Sequence, residues 1–480
     1  MDALRIIASL VVPWVLGIAV LLVVLPRPRD GVSAGEPVWL LGAGYTVGAF
    51  LLTCWMRALS LAHVRFGALV VAAPIVAAAA VLLWVRHRRY GADGLGHFGR
   101  MVRTLRTPSP DRLLRIVWWL LIAWMAVRFV LLGIEITLRP LYPWDAWIQW
   151  ATKARVWYAL GYMAPFGRAD AWLSANGALY FDASPEYPPT MPLLQVWTCL
   201  MLGRWDDSLM NWPWWMLLLS LVLAIYGALQ RLGVGAWSSL VAAMLAATLP
   251  LADVHVALAG YADMPMAVYY TIAVLALLRW NMTRTTSDAL AAILLAIACT
   301  QIKNPGIVWA LTLVPGLIVI LLPQKGVRVV AALFGLAVLG LAVLAQTEPV
   351  IFNYRLHLDF NPAWAALGET LFLLDNWHLL WYAVIAVAIV AWRQLLSPAL
   401  VPVTMIGAAG VLFLFVVFGF TNARIWVSDQ TTINRAVLHF APVALVFAVL
   451  AFDAFARRWW SRHAPPPASP EIVSEPQAAA

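Results

Sequence analysis

Ile6-Ile-Ala-Ser-Leu-Val-Val-Pro-Trp-Val-Leu-Gly-Ile-Ala-Val-Leu-Leu-Val-Val-Leu25 runs without a single charge. A bilayer crossing needs about 20 mostly apolar residues, and this stretch supplies them. The same texture continues along the chain. Of its 480 residues, 63% are hydrophobic and only 11% charged, with a mean hydropathy of +0.83. A water-soluble domain of that size carries far more surface charge. The fold class is therefore an all-α, polytopic integral membrane protein. No small-residue cleavage site follows Leu25, so the stretch reads as a retained span rather than a signal peptide. Cys54, Cys199 and Cys299 all lie in apolar segments, which points to neither disulfides nor a zinc cluster. The formal net charge of +9 fits basic cytoplasmic loops, and no nucleic-acid partner is expected.

Charge placement orients the spans. Arg86, Arg88, Arg89, Arg100, Arg103, Arg106, Arg112 and Arg115 crowd one segment against Asp93 and Asp111, which predicts a cytoplasmic loop. Basic turns at Arg231, at Arg279 with Arg284, at Lys325 with Arg328, at Arg393, and at Arg457, Arg458 and Arg462 fall on the same side. Apolar segments near 6–26, 38–60, 65–85, 116–137, 208–230, 236–252, 262–280, 289–302, 305–323, 327–346, 378–396, 399–420 and 436–456 then alternate across the membrane. The segment 190–204 is too short to cross and reads as a partial or re-entrant helix. The count is about 13–14 membrane helices in a multi-pass protein of bacterial inner (plasma) membrane type. Three regions follow: 1–115 with the first helices and the basic loop, a membrane core over 116–456, and a disordered cytoplasmic tail over 457–480. Within the core, 138–189 is the first large extracytoplasmic loop.

Polar residues collect on the side opposite the basic turns. Two of the three lysines, Lys153 and Lys303, fall there, as do Arg155, Arg355, Arg424 and Arg435. Cations on that side call for anionic partners. The segment Pro143-Trp-Asp-Ala-Trp-Ile-Gln-Trp-Ala-Thr-Lys-Ala-Arg-Val-Trp-Tyr158 predicts an interfacial helix. As an α-helix it places Asp145, Gln149 and Lys153 on one face. Asp145 also has a plain reading as an N-terminal cap. In Ser184-Pro-Glu-Tyr-Pro-Pro-Thr-Met-Pro192, the prolines hold Glu186 and Tyr187 at a loop-to-membrane junction; a solvated Glu186 is the bland alternative. Leu258-Ala-Gly-Tyr-Ala-Asp-Met-Pro265 puts Asp263 at a span start, near His255, where a capping role also fits. Lys303 closes another span, where a cation complements a helix C-terminus. Asn434-Arg435 and His439 stand at the entrance of the last span. A satisfied buried histidine is at least as common there as one that reaches a phosphate.

The order of these motifs resembles the GT-C class of membrane glycosyltransferases, particularly the bacterial relatives of protein O-mannosyltransferases and the lipid A aminoarabinose transferase. Pro143-Trp-Asp145 followed by Lys153-Ala-Arg155 resembles the acidic first-loop element of that class. Glu186-Tyr187-Pro188-Pro189 resembles its loop-closing motif, and Asp263-Met-Pro265, Lys303-Asn-Pro-Gly306 and the Asn-Arg before the terminal helix are similar to later elements. The likeness covers about Val117 to Ala456. It departs where the usual acidic pair is Asp145-Ala146, and where no large soluble C-terminal domain follows.

The resemblance implies a GT-C-like helical bundle with interfacial helices in its first large loop. It implies transfer of a sugar from a polyprenyl-phosphate donor, with inversion, to a lipid, glycan or protein acceptor of the envelope at the extracytoplasmic face. Under it, Asp145 and Glu186 carry the catalysis, and Lys153, Arg155, Lys303, Arg435 and Arg424 cradle the donor phosphate. Tyr187, Gln149, His255, Asp263 and His439 support the acceptor or the site. A divalent ion held by Glu186 is the one cofactor this leaves open. A transporter or flippase of lipid-linked sugars would instead carry polar groups at the midplane and on both sides. A non-catalytic envelope scaffold gives no reason for Asp145 and Glu186.

Overall fold

A computed structural model of the protein describes residues 1–26, 35–91, 111–351, 354–357 and 359–463. Arg100, Arg103, Arg106 and Asp93 of the predicted basic loop lie outside the described residues, as does the predicted tail from Ala464 onward, whereas its first residues, 457–463, are not irregular but continue the last helix, Thr432–His463. The chain is helical almost throughout. From the N-terminus run α1 (Asp2–Val24), α2 (Gly35–Leu61), α3 (Ala68–Tyr90) and α4 (Arg112–Leu138). A turn of π-helix, Ala146–Ala151, leads into α5 (Thr152–Leu160). Next come α6 (Thr190–Leu202), α7 (Trp212–Arg231), and a pair, α8 (Ala236–Ala247) and α9 (Pro250–Ala257), that meet at a 55° bend. They are followed by α10 (Asp263–Thr283), α11 (Thr286–Thr300), α12 (Gly306–Leu321), α13 (Gly326–Ala345), α14 (Trp364–Leu373), α15 (Leu380–Val390), α16 (Val401–Phe420) and α17 (Thr432–His463). Two short two-stranded pairings, Phe166–Gly167 with Tyr180–Phe181 and Val350–Ile351 with Tyr354–Arg355, sit in the connecting loops.

Among the described residues, eight helices are long and apolar enough to span a bilayer, or nine if the bent pair is one span. The expected 13–14 is therefore not met by length alone. Helices α6, α11, α12 and α15 are apolar but fall in the 10–17-residue class, below the about 20 residues of a standard crossing. An unbroken apolar sequence hides where a helix stops. The segment expected to continue to 396 leaves regular helix at Val390 and continues in turns.

The N-terminal helices belong to the core rather than standing beside it. At Gly17 and Gly48, an added Cβ would fall 1.8 Å from the Gly44 carbonyl oxygen and 1.6 Å from that of Pro13, so α1 and α2 meet backbone to backbone. On its other side, α2 touches α7 through Gly42 against Ser220 and Ala224, and through Gly35 against Gly227. Between apolar helices in lipid, such close approach is the main source of association.

Pairings along α10 fix two poles. Arg279, near its C-terminal end, binds Glu36 of α2 (3.0 Å) and Asp288 of α11 (2.9 Å), and Arg231 of α7 joins Glu36 at 2.8 Å. Midway, Tyr269 Oη donates to the Thr46 carbonyl (2.9 Å). At the N-terminal end, Asp263 meets Lys303, which follows α11. Helices α2 and α11 thus run antiparallel to α10, and their far ends arrive at the Asp263 pole. Helix α6 begins at this pole, where Thr190 meets Arg57. The chain is back at the same pole when Trp214 Nε1 of α7 donates to the Tyr261 carbonyl, as a partial helix requires.

Candidate functional site

Asp263 is wholly buried and sits among three basic side chains. Lys303 Nζ donates to its Oδ1 at 2.6 Å, His439 Nε2 lies 2.9 Å from the same oxygen, and Arg435 Nε donates to Oδ2 at 2.8 Å. The residue opens α10, yet it caps nothing: Ala262 is the N-cap, and no side-chain capping bond forms. Arg435 then reaches outward, donating from Nη1 to Asp145 Oδ2 at 2.5 Å. The Arg435 and Asp145 side chains are 23% and 22% exposed, so the cluster runs from a sealed carboxylate to an open one. Arg435 Nη2 and Asp145 Oδ1 have no hydrogen-bond partner among the described residues.

Local backbone explains the convergence. Gly260, at φ +116°, is in the left-handed region, and a Cβ there would stand 2.6 Å from the Ala146 Cβ. Only glycine lets the loop before α10 pass under the π turn that carries Asp145. Gly306 plays a similar part, because a Cβ would fall 1.9 Å from the Cys299 carbonyl oxygen. That contact folds α12 back on α11 and holds Lys303 at the joint.

His439 is held in one tautomer. The Trp309 indole N–H donates to its Nδ1 at 3.0 Å, and an indole nitrogen only donates. Nδ1 is therefore the acceptor, and the proton sits on Nε2, facing Asp263. Below, Trp309 stacks on Phe440 with ring centroids 6.0 Å apart, closing the floor with aromatic surface.

Tyrosines line the open side. The Arg435 guanidinium lies over the Tyr261 ring, 4.6 Å from its centroid, and Tyr187 stacks on Trp150 at 5.0 Å. Tyr187, Tyr261 and Tyr354 all feel the charges of Arg435 and Asp263, and burial holds their hydroxyls above the usual phenol range. They remain protonated donors. His255, ring to ring with Tyr261 at 5.2 Å, is buried with no partner for Nδ1 among the described residues. A small open recess adjoins, lined by Ile136, Arg139, Tyr142, Asn211, Ala257 and Ala259 among others.

Several expected members lie elsewhere. Asp145, Gln149 and Lys153 do not share one face, because Ala146–Ala151 is π-helix; its wider turn breaks the α-helical i, i+4 register. Gln149 is half-buried and joins no contact of the cluster. Lys153 is turned inward to Asp182 at 3.5 Å and to the Ser184 carbonyl at 2.8 Å. Burial pushes the Lys153 ammonium down and the Asp182 carboxyl up, each partly offset by the other's charge. Lys153 Nζ lies over the Trp150 ring, 5.9 Å from its centroid, and the same ring stacks on Tyr187.

Glu186 does not join Asp145. It is 37% exposed and paired with Arg168 at 2.8 Å. It is Tyr187, the residue before Pro188, that turns inward onto Trp150. Arg155 is exposed over Trp205, at 4.9 Å from the ring centroid, and Arg424 faces Asp359 at 3.7 Å; neither enters the cluster. Asp182, Tyr261, Trp309 and Tyr354 are site neighbours that motif reading did not single out. Tyr261, two residues before Asp263 in a quoted motif, was within its reach. Among the described residues, no group of three or more His, Cys, Asp or Glu side chains is placed to hold a metal ion.

No protein-family model, curated protein or solved structure matches the chain.

Proposed function

We propose that this chain is a GT-C-like glycosyltransferase that takes a sugar from a polyprenyl-phosphate donor at the extracytoplasmic face of the membrane. The observation that carries the reading is the Asp263–Arg435–Asp145 chain. A buried carboxylate holds two cations, and the outer one leads to a half-open carboxylate with a free oxygen. The motif order supports it, as does the collection of these groups at the pole opposite the Arg231 and Arg279 turns, the side predicted to be cytoplasmic.

In this reading, Asp263 and His439 are positioning groups that set the orientation of Lys303 and Arg435. The free Nη2 of Arg435 and the remaining Lys303 hydrogens receive the donor phosphate. Asp145 Oδ1 accepts the proton of the acceptor hydroxyl as its oxygen bonds to the sugar anomeric carbon. The bond from that carbon to the phosphate oxygen breaks, and its electron pair stays with the phosphate, where the cations stabilise it. Attack from the face opposite the phosphate inverts the anomeric centre. Glu186, exposed and bound to Arg168, has no part in this step.

The test is transfer from a radiolabelled polyprenyl-phosphate sugar by purified protein with an envelope fraction as acceptor. Asp145→Asn is expected to lower turnover by about 10²-fold or more, while Glu186→Gln leaves it within a few-fold. Full activity of Asp145→Asn would sink the assignment. Lipid-sugar movement across vesicles with no covalent product would replace the enzyme by a transporter. The same assay in EDTA decides whether a divalent ion takes part.

A further inference from the structure

Among the described residues, no carboxylate pairs with the Arg57 guanidinium. The antiparallel register of α2 on α10, fixed by Glu36 with Arg279 and by Thr46 with Tyr269, brings the C-terminal end of α2 to the Asp263 pole. There the guanidinium donates from Nη1 to Gln301 Oε1 at 2.7 Å and from Nη2 to Thr190 Oγ1 at 2.5 Å. Both partners are neutral. Its Nε is buried and has no acceptor among the described residues, and no described carboxylate forms an ion pair with it. The other sequestered cations of this pole differ: Lys153 has Asp182, Lys303 has Asp263, and Arg435 has both Asp263 and Asp145.

A half-buried guanidinium with only neutral partners keeps much of its desolvation cost. Both side-chain oxygens of the trio already accept from the guanidinium. The wholly buried Thr190 hydroxyl accepts from Arg57 and has no acceptor for its own hydrogen among the described residues, and the Gln301 carbonyl accepts from Arg57 while Nε2 donates to Thr300 Oγ1 at 3.2 Å. Thr190 also opens the 13-residue α6, whose first turn adds positive potential. The group carries a positive charge with no described anion to offset it, which favours an anion over a cation here.

We propose that Arg57, Thr190 and Gln301 form an oxyanion subsite for a phosphate monoester or diester, separate from the Asp263 cluster. The first three helices thereby contribute a ligand-binding group to this pole. A guanidinium fork suits two phosphate oxygens, and the source is either a lipid headgroup or free phosphate. The subsite is a matter of binding alone and stands whether or not the chain transfers sugar.

The experiment measures thermal unfolding of the full chain in neutral detergent. It is titrated with inorganic phosphate, with dioctanoyl phosphatidate, and with dioctanoyl glycerol as the phosphate-free control. Wild type is expected to be stabilised by a phosphate ligand and not by the glycerol. Arg57→Gln should weaken binding by about tenfold or more, the size of a lost charge-assisted hydrogen bond. Arg57→Lys, which keeps the charge, should retain most of the affinity. Thr190→Val and Gln301→Leu, expected to lose affinity several-fold, give a second route if Arg57→Gln does not fold. A response to inorganic phosphate identifies a free-phosphate site, and a response to phosphatidate alone identifies a headgroup site. Equal stabilisation of wild type and Arg57→Gln, or no response of wild type to either phosphate, overturns the proposal.

Discussion

Asp263 and Asp145 are both aspartates bound to Arg435, yet they should answer mutation differently. Asp263 is sealed, and Asp263→Asn leaves Lys303 and Arg435 short of a buried anion. Uncompensated buried charge costs about 3–5 kcal/mol, so a marked fall in Tm in detergent is expected. Asp145 is partly solvated, and loss of such a pair costs about 1 kcal/mol or less. Asp145→Asn should therefore keep its Tm while losing turnover; equal destabilisation by both would contradict the sealed-to-open gradient. Lys153 and Asp182 offer a second case. Each single replacement, Lys153→Met or Asp182→Leu, strands a buried charge, whereas the double replacement removes both. A double-mutant cycle should show the pair of changes costing less than the sum of the singles by about 1 kcal/mol or more. The motif reading found every residue of the Asp263 cluster but ranked Glu186 and Lys153 above Asp263. The cause lies in geometry: side-chain direction at Glu186 and Tyr187 depends on a proline-bounded turn, and sequence spacing does not show which neighbour turns inward.

Helices α1, α2 and α7 approach backbone to backbone through glycines. A bulky residue there must push backbone from backbone. Gly48→Leu is expected to cost about 1–3 kcal/mol or more, read as a lower unfolding temperature, whereas Gly335→Leu on the open face of α13, where nothing lies within 4 Å, should be nearly neutral. Apolar runs were legible as helices, and the short 190–204 segment as a partial one. The π turn at Ala146–Ala151 was not legible. An extra residue in a turn leaves no compositional mark, and it separates Asp145 from Lys153. The end of α15 was overread, to 396 rather than Val390, for a related reason. Hydropathy reports solvent preference and not where backbone hydrogen bonding ends.

Across the whole molecule, two poles of buried charge are separated by the length of α10. The Asp263 pole is expected to be extracytoplasmic. In a variant lacking Cys54, Cys199 and Cys299, a cysteine at Trp144 should react with a membrane-impermeant maleimide in intact cells. One at Arg458 should react only after the membrane is opened, and the reverse pattern would invert the sidedness on which the function rests. Composition alone determined that this chain is a helical membrane protein, because burying so much apolar surface in water-free surroundings leaves helices as the structure that satisfies the backbone. Charge asymmetry along the loops also predicted one polar face. Only tertiary structure decided which of those polar groups meet. Asp145, Asp263, Lys303, Arg435 and His439 come from four separate stretches of chain. Their meeting depends on helix register, on a left-handed glycine beneath a π turn, and on an N-terminal helix that delivers Arg57 to the same end. Those are properties of packed backbones in three dimensions, and residue spacing does not encode them.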